Sequence, residues 1–168
     1  MRVYLPGTLA TLRELDAAGE FAGQLTGFAV TAALRESYAS GDTDELEYVA
    51  FTDAARASLR LLDADPLAPR RRVVLAADID ESEVAPLSDL DRAAVRLRSA
   101  VPLSRVVAFH VDDPAAEADV RAAAAAILEA ELGSDDAQFT VDGAEGHELA
   151  WYAVQELGPL LELWPDRP

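Results

Sequence analysis

The segment Arg72-Val73-Val74-Leu75-Ala76-Ala77 is apolar after its first residue and β-branched at Val73 and Val74. Two proline pairs, Asp65-Pro66 and Ala68-Pro69, shut off any helix that approaches it from upstream. A run this short, β-branched and uninterrupted reads as a buried strand. The chain must therefore build a sheet with this segment inside it and supply other segments to cover it.

The rest of the chain divides around that requirement. Arg2-Val3-Tyr4-Leu5 reads as a short strand, broken at Pro6-Gly7, after which Thr8 caps a helix carrying Leu9, Leu12 and Leu15 on one side. Leu25 to Val30 reads as a second strand, with Thr31 capping a short helix through Tyr38. Asp42 and Glu45 have capping-box spacing, and the helix they start runs to about Leu62 with Leu46, Ala50, Ala54, Ala57 and Leu61 on one face.

Beyond the buried strand, an acidic loop spans Asp78 to Asp91. Ala94 to Arg98 and Arg105 to Val111 read as two strands joined in an antiparallel hairpin. Asp113-Pro114 opens an alanine-rich helix that Gly133 stops after Leu132. Phe139-Thr140-Val141 reads as a short strand or ordered loop, and a last helix runs from near Ala144 to Gly158-Pro159, with Leu160, Leu161, Leu163 and Trp164 packing back.

This order predicts an α+β fold. The expectation is one domain over residues 1–168, with a mixed sheet of about five strands and helices packed mainly on one face. The length of 168 residues suits one core, since single domains commonly run to roughly 100–200 residues.

Composition excludes several classes of chemistry. With no cysteine, disulfides, thiolate metal sites and cysteine nucleophiles are out. His110 and His147 are the two histidines, too few for a histidine-rich metal cluster, and neither a metal nor a cofactor is expected. The formal charge of −17 opposes approach to phosphate backbones and anionic lipid, so nucleic acid and membrane are not expected as partners. No stretch reaches the run of about 18 apolar residues needed to cross a bilayer, and Met1-Arg2 leads directly into a strand, which predicts a soluble cytoplasmic protein. All 14 basic residues are arginine, and lysine and asparagine are absent, a composition that suggests a GC-rich genome.

Local motifs are few. There is no P-loop, no Gly-X-Gly-X-X-Gly fingerprint and no Gly-X-Ser-X-Gly elbow. Asp78, Asp80, Ser82 and Glu83 follow the buried strand but fail the calcium-loop pattern, because Glu83 stands where glycine is required; a solvated acidic loop is expected. His110 reads as a sheet residue, with Asp113 already used as a helix cap and a histidine–aspartate acid–base pair within His110-Val111-Asp112-Asp113 as the functional alternative. Arg70-Arg71-Arg72 reads as a source of internal salt bridges, with binding of a phosphate or an acidic peptide as its alternative.

The segment Asp142 to Leu157 gathers rarer side chains. On the helix expected there, His147 and Trp151 lie one turn apart, and Glu148, Tyr152 and Gln155 form a neighbouring stripe beside an apolar face of Ala150, Val154, Leu157 and Leu161. An aromatic and polar flank of this kind suits a binding groove or partner interface. His147-Glu148 does not begin a zincin motif, because Trp151 stands where the second histidine belongs. The site expected from sequence is therefore His147, Glu148, Trp151, Tyr152 and Gln155, serving a non-enzymatic binding or regulatory protein whose partner is a protein or small molecule. A small enzyme using His147, Glu148 or His110 as acid or base is the alternative, and a subunit of a homo-oligomer is a third reading. No catalytic residue is assigned.

Five stretches together resemble an uncharacterised family of actinobacterial proteins: Met1 to Pro6, Thr26 to Thr31, Glu45 through Leu62, Pro102 to Val106, and Asp142 to Leu157. The resemblance covers nearly the whole chain. It implies a compact cytoplasmic domain of unknown function and carries over no catalytic residues.

Overall fold

The computed structural model describes residues 1–22 and 25–166. Its elements in chain order are β1 (Arg2–Gly7), α1 (Leu9–Ala18), β2 (Glu20–Phe21), β3 (Thr26–Ala29), α2 (Ala32–Ser37), α3 (Thr43–Ala64), β4 (Val73–Asp78), β5 (Val84–Pro86), β6 (Ala94–Leu97), β7 (Val101–Pro102), β8 (Val106–Asp112), α4 (Glu117–Glu131), α5 (Asp135–Glu145), β9 (Leu149–Ala153) and α6 (Leu157–Leu163). The fold is α+β. Seven strands form one sheet in the order β5-β6-β3-β1-β4-β8-β9, and β2 pairs with β7 in a separate two-stranded ribbon.

Every pairing in the large sheet is antiparallel. The expected mixed sheet of about five strands thus becomes a seven-stranded antiparallel one. The crossover that suggested parallel pairing is present: α2 and α3 carry the chain from β3 to β4. Those two strands run in the same direction, but β1 is inserted between them and pairs with both, a split β-α-β arrangement. The hairpin expected from the Ala94 and Arg105 segments does not form. β6 pairs with β3 and β5, β8 pairs with β4 and β9, and three strands separate them. Two alternating apolar segments look alike from sequence, and only the rest of the sheet decides which neighbour each one takes.

The buried strand lies inside the sheet as β4, with β1 and β8 on its flanks. Its side chains alternate between two cores, as the two-residue period of a strand demands. Val73 and Leu75 join Val3, Leu5, Phe109 and Val111 beneath Leu9, Leu12 and Leu15 of α1 and Leu157 and Leu161 of α6. Val74 and Ala76 join Tyr4 and Phe28 beneath Leu46, Ala50, Ala54 and Ala57 of α3 and Leu34 of α2. The α3 side carries the larger share of helix, because Leu59 and Leu62 on another stripe of α3 pack against Val120, Ala123 and Ile127 of α4 and Val141 and Ala144 of α5.

Capping follows the local chemistry. The Asp42 carboxylate accepts from the Glu45 N–H at 2.8 Å, Thr31 Oγ1 accepts from the Leu34 N–H at 3.1 Å, and Gly133 closes α4 at φ +101°. The carbonyls at the end of α3 are held by Arg70, whose guanidinium donates to Leu62 O at 2.8 Å and also to Asp65 O. Ser58, fully buried on α3, donates to Gly7 O at 2.7 Å and accepts from the Val73 N–H at 3.1 Å, tying the helix to β1 and β4 together. Among the described residues no helix is long and apolar enough to cross a membrane.

Arg72 and Asp112 form a buried pair, with side-chain exposures of 2% and 0%. Arg72 Nε and Nη2 donate to the two carboxylate oxygens at 2.8 Å each, the Arg72 backbone N–H donates to Oδ2 at 2.8 Å, and the remaining reach of Nη2 takes His147 O at 3.0 Å. Removing one partner strands a charge in the core, which costs about 3–5 kcal/mol. Asp112→Asn should therefore lower the urea-unfolding free energy by that amount, a large part of the roughly 5–15 kcal/mol typical of a domain. Paired replacement, Arg72→Met with Asp112→Leu, should recover most of the loss. Equal losses in the single and double variants would show that the ion pair is not what holds β4 to β8.

Candidate functional site

The sheet face turned toward α3 carries Tyr4 of β1, Ala76 of β4, Ala108 and His110 of β8, and Leu149 and Trp151 of β9. Tyr4 registers with Ala76, Ala76 with Ala108, and His110 with Trp151. α3 covers β1, β3 and β4 on this face, while β8 and β9 extend past it. Alanine at 76 and 108 keeps the floor low where the helix cover ends. The result is an open recess of about 550 Å³, walled by Tyr48, Phe51 and Thr52 of α3 and rimmed by His147 and Glu148 on the turn between α5 and β9. That volume lies within the roughly 300–1,000 Å³ of small-molecule sites.

Aromatic rings line the inner wall. Phe51 meets Tyr4 edge-on with centroids 5.7 Å apart, His110 edge-on at 4.8 Å, and Tyr48 near-parallel at 6.4 Å. Tyr48 and Trp151 remain 66% and 62% exposed although they line a concavity. Such exposure of large aromatic surface in a concave patch is a common mark of a binding site.

Charge in the recess is unevenly compensated. Arg2 Nε is 2.7 Å from Asp78 Oδ1, and Arg72 is held by Asp112. His147 Nε2 lies 2.7 Å from Asp119 Oδ2, and Glu145 is 3.2 Å from Arg56. Asp44, Glu47 and Glu148 have no ion-pair partner among the described residues. Burial, with the Glu47 carboxylate next, pushes the Tyr4 phenol above its ordinary range, against the opposing pull of the nearby Arg2 guanidinium. Burial, helped by the Arg2 charge, pushes His110 down to about 4, so its imidazole is neutral at pH 7.

The structure brings together three of the five residues expected at the site. His147, Glu148 and Trp151 all line the recess. Tyr152 does not: its ring stacks on Phe109 at 5.4 Å and meets Trp164 edge-on at 5.4 Å, in the opposite core. Gln155 is exposed in a 3₁₀ turn beyond β9 and does not line the recess. The cause is a change of element. The expected helix over 144–157 is replaced by the end of α5, a turn, β9 and the start of α6, and a strand sends Trp151 and Tyr152 to opposite faces where a helix would have kept them on one flank. Phe139 to Val141, expected as strand or loop, belongs to α5, with Ser134 as its cap.

The other candidates resolve locally. Asp113 caps the turn into α4 and Asp112 holds Arg72, so His110 has no carboxylate partner from that segment. Asp78 pairs with Arg2 and Asp80 accepts from the Ser82 N–H at 3.0 Å. Of the three arginines, Arg72 is buried in its ion pair and Arg70 bonds backbone carbonyls, so neither is free for a phosphate, while the Arg71 side chain makes no ion pair or hydrogen bond among the described residues. Sequence reasoning missed Tyr4, Glu47, Tyr48 and Phe51. The signal for Tyr48 and Phe51 was present, since two aromatic residues three apart lie off the Leu46-Ala50-Ala54-Ala57 stripe of α3.

Residues 1–161 match the family described as Family of unknown function (DUF6912), and the chain belongs to that family. No curated protein and no solved structure matches it.

The shift of His110 has a measurable consequence. An unfolded imidazole titrates near 6.5 and the folded one near 4, so between these values the unfolded chain binds a proton that the folded chain does not. The stability contributed by this group is full above about 6.5, falls as pH drops through that interval, and is level below about 4. His110→Phe lacks the proton site. Relative to the native chain it should gain about 2 kcal/mol on going from pH 7 to pH 4, after allowance for solvent screening in an open recess. Urea unfolding of both proteins across that range checks this, and a constant gap would mean that His110 titrates as it does in water.

Proposed function

We propose that this member of the DUF6912 family is a non-enzymatic binding protein that holds a small molecule in the recess between α3 and the β8–β9 side of the sheet. The observation that carries the reading is the placement of Tyr48 and Trp151, two largely exposed rings on different walls of one concavity whose inner surface is already packed. A flat protein partner would leave the recess unfilled. The charge of −17 argues against nucleic acid and anionic membrane as partners. The same acidity, with no helix among the described residues suited to cross a membrane, supports a cytoplasmic location. Arginine as the sole basic residue supports an actinobacterial source.

One observation favours a second reading. The 2.7 Å contact between Asp119 and His147 is the contact by which a carboxylate orients a general base. In that reading His147 would act on a bound metabolite with Glu148 beside it. Turnover discriminates the two: under the enzyme reading the native chain converts a bound ligand and His147→Asn keeps the ligand without converting it, whereas under the binding reading the native chain and the variant both hold it unchanged.

A ligand-observed NMR screen with a fragment set tests the leading reading. Fragments that bind should lose about 30-fold in affinity on Trp151→Ala, the loss of a central aromatic anchor worth about 2 kcal/mol. Tyr152→Ala, which empties a place in the opposite core, should lower the melting temperature and leave the same fragments bound. Unchanged binding in Trp151→Ala would remove the recess as the site.

A further inference from the structure

We propose that the ligand of the recess is an organic cation, an ammonium group carried on an apolar body; this rests on the recess being the binding site. The two arginines that reach its lining each have an ion-pair partner, Asp78 for Arg2 at 2.7 Å and both oxygens of Asp112 for Arg72 at 2.8 Å, and Arg2 offsets part of the charge of Glu47 as well. The carboxylates of Asp44, Glu47 and Glu148 have no such partner among the described residues. The recess therefore has negative charge in excess, and a chain of net charge −17 deepens the potential inside a concavity walled by protein.

The remaining chemistry selects the kind of cation. Tyr4, Tyr48, Phe51 and Trp151 offer π faces or edges around the same space, and an ammonium group is attracted to the negative face of such rings. A bare metal ion fits less well, because no three histidine, aspartate or glutamate side chains among the described residues come close enough to hold one. An anion would meet three carboxylates that have no ion-pair partner among the described residues, and the N-terminus of α3 already has Asp42 as cap with Asp44 and Glu45 in its first turn. A neutral ligand would strip water from those carboxylates and return nothing to them. His110, neutral at pH 7, adds no repulsion.

The test uses three probes on the intact chain: benzyltrimethylammonium, its neutral isostere neopentylbenzene, and benzoate. Binding is read from the indole N–H signal of Trp151, distinguished from that of Trp164 by its loss in Trp151→Phe. The expected result is that benzyltrimethylammonium shifts this signal and binds at least about tenfold more tightly than either of the others, as a cation over aromatic faces beside carboxylates should. Glu47→Gln and Glu148→Gln should each weaken the cation about threefold or more while leaving neopentylbenzene unchanged, and added salt should weaken the cation alone. Tighter or equal binding of the neutral or anionic probe overturns the cation assignment and leaves the recess standing as a site. If none of the three moves the signal, the cation assignment falls as well, and the fragment screen with Trp151→Ala decides the recess separately.

Discussion

The two-way junction between Arg72 and Asp112 underlies both the architecture and the recess. Each residue bonds the other through backbone as well as side chain: the Arg72 N–H reaches the carboxylate, and the Asp112 N–H donates to Arg72 O at 3.1 Å. The start of β4 is thereby stapled to the end of β8. The planar guanidinium suits this use because its fork meets both carboxylate oxygens and still has an N–H for His147 O. That last bond anchors the turn leading into β9, so the interaction that joins two interior strands also places the rim carrying His147 and Glu148. Desolvating such a pair is costly, and its geometry, with all three partners of the guanidinium in place, is what offsets the cost.

Two cavities flank α3, and they hold titratable groups shifted in opposite senses. His110, on the recess side, is depressed to about 4 by burial and by Arg2. Asp53 lies in the cavity between α3 and β3 and is raised to about 6, first by burial and then by Asp91. Both shifts disfavour charge beneath the helix, as partial removal from water requires. For Asp53 the folded chain holds the proton more tightly, so its contribution to stability is present at low pH and is lost as pH rises toward about 6. His110 acts the other way over much of the same interval. The two sides of one helix thus offset each other in the pH range where each alone would tilt stability.

Much of the fold was legible because local chemistry and local periodicity coincide. Thr8, Thr31, Asp42 and Asp113 were read as caps and stand at those positions. Val73 to Ala77 is buried throughout in the sheet interior. The failures share a cause. Ala150 and Leu149 have high helix propensity, and the segment became a strand because the free side of β8 accepts it, Trp151 opposite His110 and Tyr152 opposite Phe109. The β2–β7 ribbon likewise exists only through a partner distant in the chain, whereas the short strand β5 within the acidic loop pairs with β6, the next strand in sequence. Of the site, His147 and Trp151 were found for their scarcity as residue types, and Glu148 for its place beside His147. Tyr152 was misplaced by the wrong period, and the α3 wall was overlooked because nothing near residue 48 in the chain reveals that it faces residue 151.

The order and limits of most helices, the interior strand, the large excess of acid and the absence of thiol chemistry were written in the chain alone, since each depends on residues within a turn or two of one another or on composition. Tertiary structure decided which strands pair, where helix cover of the sheet ends, and which carboxylates are left without a partner. Those are outcomes of contacts between segments tens of residues apart. A side chain's period can say which face it occupies, but only the packed sheet says what that face meets.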